Sequence, residues 1–240
     1  MRGLDGVLLD VDDTLLDTRS AMTTGAEAGV RAVWPALSAA RAHDVAIAFY
    51  EDGGRHFPRF TRGEIDFRTM RGSRLEYAAT QFGLPPVAQD APEVFEEAFR
   101  PAFHDAQRVF DDVRPFLSAC RDAGLAVGAL TNSSQAMTAD KLAVVGLSFE
   151  VVVTRDTLGY GKPAAEVFHH ACELLGTSPE RTVYVGDEYP IDVAGSAAAG
   201  MIPVWLNRQG LPDVWGEAAA VHAHAVRSLG ELSSVLGVAG

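Results

Sequence analysis

The amino-acid sequence predicts an α/β fold, in which a core built on a parallel sheet is interrupted by an all-helical insert. Short apolar runs that end in polar residues alternate with longer stretches of helical periodicity, as in parallel strands joined by helices. The exception is residues 18 to about 106, where the patterns are mostly helical. We therefore expect one sheet covered by helices on both faces, with a separate helical region inserted after its first strand.

The first predicted strand is LDGVLLD at 4–10, because this run is short, apolar and ends abruptly in polar residues. Later strands are predicted at 126–131, 151–154, 182–187 and 202–206. Helical patterns separate them, and Gly124 closes the first of these helices as a typical C-terminal cap. Parallel sheets bind ligands at the carboxyl ends of their strands, so the residues after each strand are the candidates for a functional site.

The insert is predicted from four helical stretches, at 22–37, 40–54, 66–83 and 92–103. Within the last stretch Phe95, Phe99 and Phe103 recur at helical spacing and are expected to form the apolar core of the insert. RHFPRFTRGE, which starts at Arg55, is predicted to be a loop. Arginines are dense from here on, and one or two of them are expected to contact the substrate: Arg55, Arg59, Arg62, Arg68, Arg71 and Arg74.

Composition excludes several classes of function. The net charge of −12 argues against a nucleic-acid partner or an anionic membrane surface. Two cysteines do not make a disulfide framework, no signal-peptide pattern precedes the first strand, and no apolar run is long enough to span a membrane. We therefore expect a cytoplasmic protein. Only two of the twenty cationic residues are lysines, Lys141 and Lys162.

Three carboxylates follow the first strand within four residues, at Asp10, Asp12 and Asp13. Two ionised carboxylates about 4 Å apart repel each other by about 4 kcal/mol at an effective dielectric constant of 20. A divalent cation turns this repulsion into attraction, and hard oxygen ligands favour Mg²⁺. The alternative is a solvated acidic turn, which is common after strands.

Other predicted strands bring further polar groups to the same edge of the sheet. Thr131 ends the second strand, Lys162 follows the third, and Asp187 and Asp192 come at and after the end of the fourth. Each residue alone has an ordinary structural explanation. Three strand ends and one loop thus offer carboxylates, a hydroxyl and an ammonium to the same edge of the sheet. Their occurrence together in this order favours a phosphate and metal site over a set of unrelated turns and helix caps.

These residues lie in DVDDT, LTNSS, GYGKP and GDEYPID, a set of motifs that resembles the haloacid dehalogenase superfamily. Within it, the chain is similar to phosphatases that carry a helical, C1-type cap after the first strand. The resemblance covers essentially the whole chain. It implies a Rossmann-like core at 1–17 and 107–240, a helical cap at 18–106, and a Mg²⁺-dependent phosphatase acting on a small phosphorylated metabolite.

The resemblance also implies a role for each motif residue. Asp10 would be the nucleophile that forms an aspartyl-phosphate, and Asp12 the general acid and then the general base. Mg²⁺ would be held by Asp10, the backbone carbonyl of Asp12 and Asp187. Asp192 would support the site by a hydrogen bond to the lysine or to metal-bound water. The phosphoryl oxygens would be held by the side chains of Thr131 and Lys162 and by backbone N–H groups of Val11, Asp12 and Asn132.

The chain departs from many relatives at Asp13, where they have glycine. Aspartate tolerates left-handed and turn conformations, so Asp13 is left out of the site. Three alternatives remain open. A haloacid dehalogenase would need no Mg²⁺, although Asp12 and Asp187 favour phosphoryl transfer. A phosphomutase would use a sugar-phosphate hydroxyl in place of water. A metabolite-binding protein could keep the fold without catalysis.

Some local patterns are discounted. GYGKP lacks the residues that a P-loop requires on either side of it. His169 and Cys172 have a spacing that suits metal ligands on a helix but no second pair, so they are expected to be packing or surface residues. His222 and His224 alternate as on an edge strand and are not assigned to a metal site.

Overall fold

The computed structural model describes residues 3–212 and 223–238, and it divides the chain into two compact units. The core unit comprises Met1–Asp17 and Val109–Gly240, and the inserted unit comprises Thr18–Arg108. The sequence prediction places the second boundary after residue 106. Among the described residues, no helix has both the length and the apolar character needed to cross a bilayer.

The core unit contains a six-stranded sheet in which every strand pair is parallel, which confirms the predicted α/β fold. Its strands are β1 (Gly6–Leu9), β2 (Ala126–Leu130), β3 (Val151–Val153), β4 (Thr182–Gly186), β5 (Ile202–Leu206) and β6 (His224–Val226). Across the sheet the order is β3-β2-β1-β4-β5-β6. The five predicted strands are present, and β6 is an edge strand, as the pattern around His224 indicated.

Strand β1 lies in the middle of the sheet between β2 and β4. Gly6 pairs with Ala126 on one side and with Thr182 on the other, and the register continues to Leu9 beside Ala129 and Val185. All four residues of β1 are buried. A strand covered on both faces has no reason to alternate polar and apolar residues, which explains its continuous apolar run.

The inserted unit is helical, and its helices are α1 (Thr18–Val33), α2 (Ala39–Glu51), α3 (His56–Thr61), α4 (Phe67–Phe82) and α5 (Ala91–Asp105). The prediction of a loop from Arg55 onwards was wrong, because α3 occupies most of that segment. Asp52 explains the helix: its carboxylate accepts hydrogen bonds from the backbone N–H of His56 at 3.0 Å and of Phe57 at 2.7 Å. These bonds satisfy donors at the start of α3 that have no partner within the helix.

The core of the inserted unit is aromatic, as the phenylalanine spacing predicts. The rings of Phe95 and Phe99 stack with centroids 5.5 Å apart, and those of Phe99 and Phe103 at 5.4 Å. Helix α1 faces this row with Gly25 and Gly29. A Cβ atom at Gly29 would lie 2.5 Å from the Phe95 ring, so glycine permits the close approach of α1 and α5.

Helices cover both faces of the core sheet. They are α6 (Val113–Asp122), α7 (Gln135–Val144), α8 (Arg155–Leu158), α9 (Ala165–Leu175), α10 (Ala194–Ala198) and α11 (Leu229–Leu236), with a 3₁₀ turn at Pro179–Arg181 and a π-helical turn at Tyr189–Val193. Val7 and Leu9 pack on one face with residues of α6 and α11. Leu8 packs on the other face with Phe168 of α9. This alternation follows from the two-residue period of a strand.

Candidate active site

Three predicted site residues lie side by side because their strands are neighbours. Asp10 follows β1, Thr131 follows β2 and Asp187 follows β4, all at the carboxyl end of the sheet. The backbone N–H of Asp10 donates to the Val185 carbonyl at 2.9 Å, which continues the pairing of β1 with β4. The strand order thus brings two carboxylates and a hydroxyl to one edge.

Lys162 reaches this edge from the loop after β3 and α8. Its ammonium donates to Asp10 Oδ1 at 2.6 Å, to Asp192 Oδ1 at 2.7 Å and to the hydroxyl of Tyr184 at 2.9 Å. The side chain is only 3 % exposed. Burial alone would lower the pKa of Lys162, but the charges of Asp10 and Asp192 outweigh it and raise that pKa well above its ordinary value. The lysine is therefore held in its charged form.

The loop that carries Lys162 is fixed by the side chain of Asn132. The Asn132 amide donates to the Lys162 carbonyl at 2.9 Å, and its oxygen accepts from the Lys162 backbone N–H at 2.7 Å. Gly161 leaves room for this contact, since a Cβ there would lie 2.2 Å from the Asn132 oxygen. The side chain of Asn132 thus links the end of β2 to the lysine loop.

The carboxylates of Asp10, Asp187 and Asp192 form a cluster whose oxygen atoms lie within 4.8 Å of one another. Burial raises the pKa of Asp187 to about 9, and the charges of Asp10 and Asp192 add to the effect. Burial likewise raises the pKa of Asp10 to about 8, although Lys162 opposes it. Lys162 forms ion pairs with two of the three acids, Asp10 and Asp192. Such a group of oxygen donors fits a hard divalent cation.

Asp192 is bound more fully than the other two carboxylates. Besides Lys162, it contacts the Tyr184 hydroxyl at 3.1 Å and accepts from the backbone N–H of Glu188 at 2.9 Å. It lies on the π-helical turn and packs directly on Gly186, where a Cβ would lie 2.3 Å from its carboxyl carbon. The structure thus places Asp192 against the lysine.

The carboxylate of Asp12 points to a different pair of donors. Its Oδ1 accepts from the ammonium of Lys141 at 2.6 Å, and its Oδ2 accepts from the hydroxyl of Ser133 at 2.8 Å. The hydroxyl of Thr131 accepts from the Ser133 backbone N–H at 3.1 Å. Val11 is fully buried, and its carbonyl accepts from Leu15 and Leu16 in the turn that follows β1.

The description of the matching family model is "haloacid dehalogenase-like hydrolase", and the match covers residues 4–200. This span is most of the chain and contains every residue of the site described above. The chain belongs to this family.

Individual relatives of this haloacid dehalogenase-like hydrolase have more specific names. A glyceraldehyde 3-phosphate phosphatase of Methanopyrus kandleri is 27% identical over 85% of this chain and 84% of its own length. A beta-phosphoglucomutase of Mycobacterium bovis is 29% identical over 85% of this chain and 81% of its own length. Among solved structures, the HAD-hydrolase YfnB of Bacillus subtilis, bound to magnesium, has a TM-score of 0.77 at 20% identity, covering 99% of this chain and 100% of its own.

Asp13 has a backbone φ of 56°, in the left-handed region that aspartate tolerates better than most residues. Its negative charge also contributes to the raised pKa of Asp187 and of Glu188. Asp13 therefore belongs to the electrostatic surroundings of the cluster, although the sequence prediction left it out of the site.

Sequence reasoning missed two residues of the hydrolase site, Lys141 and Tyr184. The rarity of lysine singled out both lysines, but the spacing along the chain does not show that α7 aims Lys141 at Asp12. Tyr184 is an aromatic residue with a hydroxyl in the middle of a fully buried strand. A buried tyrosine hydroxyl normally has a partner, and this signal could have identified it.

The discounted patterns have structural roles where they are described. His169 Nε2 lies 3.0 Å from the Ala199 carbonyl, and Cys172 is buried in the apolar cluster of α9. Both contacts confirm the packing interpretation. His224 lies exposed on β6, and His222 lies outside the described residues.

Proposed function

We propose that this hydrolase removes phosphate from a small phosphorylated metabolite, in a Mg²⁺-dependent reaction that passes through an aspartyl-phosphate. The observation that carries the proposal is the environment of Asp10, a buried carboxylate at the end of the central strand. It lies 2.6 Å from Lys162, and its oxygen lies within 4.8 Å of those of Asp187 and Asp192. A nucleophile, a cation for phosphoryl oxygens and a set of metal ligands are thus available together.

In the first proposed step, a carboxylate oxygen of Asp10 attacks phosphorus, and the bond from phosphorus to the leaving oxygen breaks. The departing alcohol takes a proton from Asp12, so it leaves neutral. In the second step, water attacks the phosphorus of the aspartyl-phosphate and gives a proton to Asp12. Phosphate leaves, and both aspartates return to their initial states.

The phosphoryl group would be held by the side chains of Thr131 and Lys162 and by the backbone N–H groups of Val11, Asp12 and Asn132. The Thr131 oxygen already accepts a hydrogen bond from Ser133, so its own proton can be donated to a phosphoryl oxygen. Lys162 can do the same without moving far, because it is already beside Asp10.

Asp10, Asp187 and the backbone carbonyl of Asp12 would hold Mg²⁺, and the bound cation would offset the negative charge of the carboxylates and the phosphate. The fit is supported by the raised pKa of Asp187, which burial and neighbouring acids cause and which a cation would reverse. Asp192 is already bonded to Lys162, Tyr184 and the Glu188 backbone, so its proposed task is to hold the lysine.

The substrate class rests on composition and on relatives. A net charge of −12 does not favour nucleic acid or an anionic membrane. Relatives named as a phosphatase of glyceraldehyde 3-phosphate and as a beta-phosphoglucomutase suggest small phosphorylated metabolites. The mutase remains the second candidate, because it would use the same aspartates with a sugar-phosphate hydroxyl as the acceptor. A dehalogenase is disfavoured by Asp12 and Asp187, which displacement of halide does not require.

The test is release of inorganic phosphate from a panel of phosphorylated metabolites and from p-nitrophenyl phosphate, with Mg²⁺ or with EDTA. We expect Mg²⁺-dependent release from at least one metabolite, whereas a mutase would yield an isomeric sugar phosphate. Asp10→Asn should abolish turnover, because an amide is a poor nucleophile. Full turnover in EDTA would overturn the proposed dependence on Mg²⁺. Turnover by Asp10→Asn would overturn the assignment of Asp10 as the nucleophile.

The role of Asp12 is tested by its dependence on the leaving group. Asp12→Asn should lower kcat/KM for alkyl phosphates by about 100-fold or more, the range that a general acid contributes. The loss for p-nitrophenyl phosphate should be smaller, because nitrophenolate leaves without a proton. Equal losses for both substrates would contradict the acid role.

A further inference from the structure

The two lysines of the chain each contact one of the aspartates that begin the DVDDT motif. Lys162 contacts Asp10 at 2.6 Å, and Lys141 contacts Asp12 at 2.6 Å. The remaining eighteen cationic residues are arginines. The reaction proposed above gives Lys162 a task and leaves Lys141 without one, although its ammonium is placed as closely.

Lys141 is a buried side chain on a helix that starts directly after the phosphate loop. Helix α7 begins at Gln135, three residues after Asn132, and the Lys141 side chain is 6 % exposed. Burying an ammonium is costly unless it is paired, and here Asp12 supplies the pair. The compact ammonium of a lysine can approach a single carboxylate oxygen, whereas the planar fork of an arginine would need more room.

Together, Lys141 and Ser133 fix the orientation of the Asp12 carboxylate. Lys141 holds Oδ1, Ser133 holds Oδ2 at 2.8 Å, and the two donors lie 3.5 Å from each other. A carboxylate has about four lone-pair sites, so these two bonds leave others for a leaving-group oxygen or a water. Rotation of the carboxylate, in contrast, would break both bonds.

We propose that Lys141 is a positioning residue, which acts through Asp12 by holding its carboxylate in the orientation needed for proton transfer. This inference rests on the proposed acid and base role of Asp12. Lys141 contacts neither the phosphoryl group nor the leaving group in this proposal. Its loss should therefore affect the substrates that depend on Asp12 and spare those that do not.

The experiment compares Lys141→Met with the parent enzyme on an alkyl phosphate and on p-nitrophenyl phosphate. Since kcat/KM covers substrate binding and the steps up to departure of the leaving group, it excludes hydrolysis of the aspartyl-phosphate, and the comparison of the two leaving groups then reports protonation. We expect Lys141→Met to lower kcat/KM for the alkyl phosphate about 10-fold more than for p-nitrophenyl phosphate. Lys141→Arg keeps the charge and should recover part of the loss.

Two further variants separate positioning from a general loss of structure. Arg114 binds the carbonyl oxygens of Val145 and Gly146, just after α7, so Arg114→Met loosens the same helix without removing a donor from Asp12. It should affect both substrates alike. In an Asp12→Asn background, Lys141→Met should cause no additional loss that depends on the leaving group, because the residue it acts through is already removed.

Equal losses of Lys141→Met on both substrates, or the same selective loss in the Asp12→Asn background, would overturn the proposal. If Lys141→Met does not fold, Ser133→Ala and Lys141→Arg take its place. Each should lower kcat/KM more for the alkyl phosphate than for p-nitrophenyl phosphate, by a factor smaller than the factor of about 10 expected of Lys141→Met. If neither variant shows this selective loss, the proposal is overturned. Should Asp12→Asn itself show no dependence on the leaving group, the proposed function of Asp12 fails instead, which is a distinguishable result.

Discussion

At the scale of single residues, Tyr184 shows how the core sheet supports the site. Its hydroxyl contacts Lys162 at 2.9 Å, Asp192 at 3.1 Å and the Leu130 carbonyl at 3.2 Å. Burial raises the pKa of Tyr184 well above its ordinary value, so the hydroxyl keeps its proton. This one group thus connects β2, β4 and the lysine loop.

Tyr184→Phe removes that hydroxyl and leaves its partners with fewer bonds. We expect the free energy of unfolding to fall by about 1–3 kcal/mol, the cost of leaving buried polar groups unsatisfied. Activity should fall less than in Lys162→Met, since Lys162 keeps both aspartates. Chemical unfolding and kcat/KM measure the two effects. Tyr160→Phe is the control, because Tyr160 is 48% exposed, and an equal loss of stability in both variants would contradict the argument.

The individual residues also show the limit of sequence prediction. Asp10, Thr131 and Asp187 could be expected together because each directly follows a strand, and the strand order then makes them neighbours. The contact of Lys141 with Asp12 could not be expected in the same way. Lys141 lies seven residues after Ser134, within α7, and whether its side chain meets Asp12 depends on the rotation of that helix. The helix face that meets Asp12 is set by packing, which a single sequence does not display.

At the scale of secondary-structure elements, the packing of α1 on α5 depends on glycine. A Cβ at Gly29 would lie 2.5 Å from the Phe95 ring, whereas a Cβ at Gly72 in α4 would have Pro92 as its neighbour at 3.5 Å. Gly29→Ala should therefore destabilise the protein by about 1–3 kcal/mol through overpacking. Gly72→Ala should stabilise it by up to about 1 kcal/mol, because alanine favours a helix.

Thermal unfolding of the two alanine variants measures this contrast directly. Both replace glycine by alanine in the interior of a helix, so the intrinsic helix preference is the same and the difference reports the contact with Phe95. Stabilisation of similar size in both variants would show that α1 and α5 can separate at little cost.

The arginines of the inserted unit belong to two groups. Of the six arginines among which one or two were expected to contact the substrate, Arg71 and Arg74 are buried. Arg74 donates to the carbonyl of Tyr50 at 3.0 Å and to that of Phe49, and Arg71 forms an ion pair with Glu96. Their aromatic neighbours provide a packed site for the guanidinium groups. These two arginines stabilise the inserted unit.

Substitution should distinguish the buried arginines from the exposed ones. Arg74→Met should lower the free energy of unfolding by about 3 kcal/mol or more, since buried carbonyls lose a charged donor. Alanine at Arg55, Arg59 or Arg62, which are exposed, should leave stability within about 0.5 kcal/mol. We expect at least one of these three variants to lower kcat/KM for the best natural substrate and spare p-nitrophenyl phosphate. If all three treat both substrates as the parent does, selectivity lies elsewhere.

At the scale of the whole molecule, the architecture was more predictable than the local detail of the loops. Alternating strands and helices implied a parallel sheet, and the sheet is present with its five predicted strands. The segment from Arg55 onwards was predicted wrongly as a loop, because its composition is typical of turns. Helix α3 forms there because the Asp52 side chain accepts hydrogen bonds from the first backbone N–H groups of the helix.

Global stability should depend on pH through the acidic cluster. The ordinary pKa of an aspartate is 3.8, whereas burial and neighbouring charges raise that of Asp10 to about 8 and that of Asp187 to about 9. At a pH between the ordinary pKa of 3.8 and these raised values, Asp10 and Asp187 keep their protons in the folded protein, whereas the same residues of the unfolded chain have released them. The free energy of unfolding therefore decreases as the pH rises from about 4 to about 9 when no cation is bound.

Mg²⁺ should reverse this loss, because it binds the carboxylates once their protons have left. In EDTA, we expect Tm to fall between pH 5 and pH 9. At a Mg²⁺ concentration 100 times the Kd measured at pH 8, Tm should rise at pH 8 by about 5–10 °C. The same Mg²⁺ concentration should raise Tm by less at pH 5, because protons then compete for the carboxylates. Asp187→Asn should reduce both the pH dependence and the effect of Mg²⁺, whereas Asp140→Asn, on the exposed side of α7, should change neither. An equal Mg²⁺ effect at both pH values would show that the cluster does not bind the cation in competition with protons.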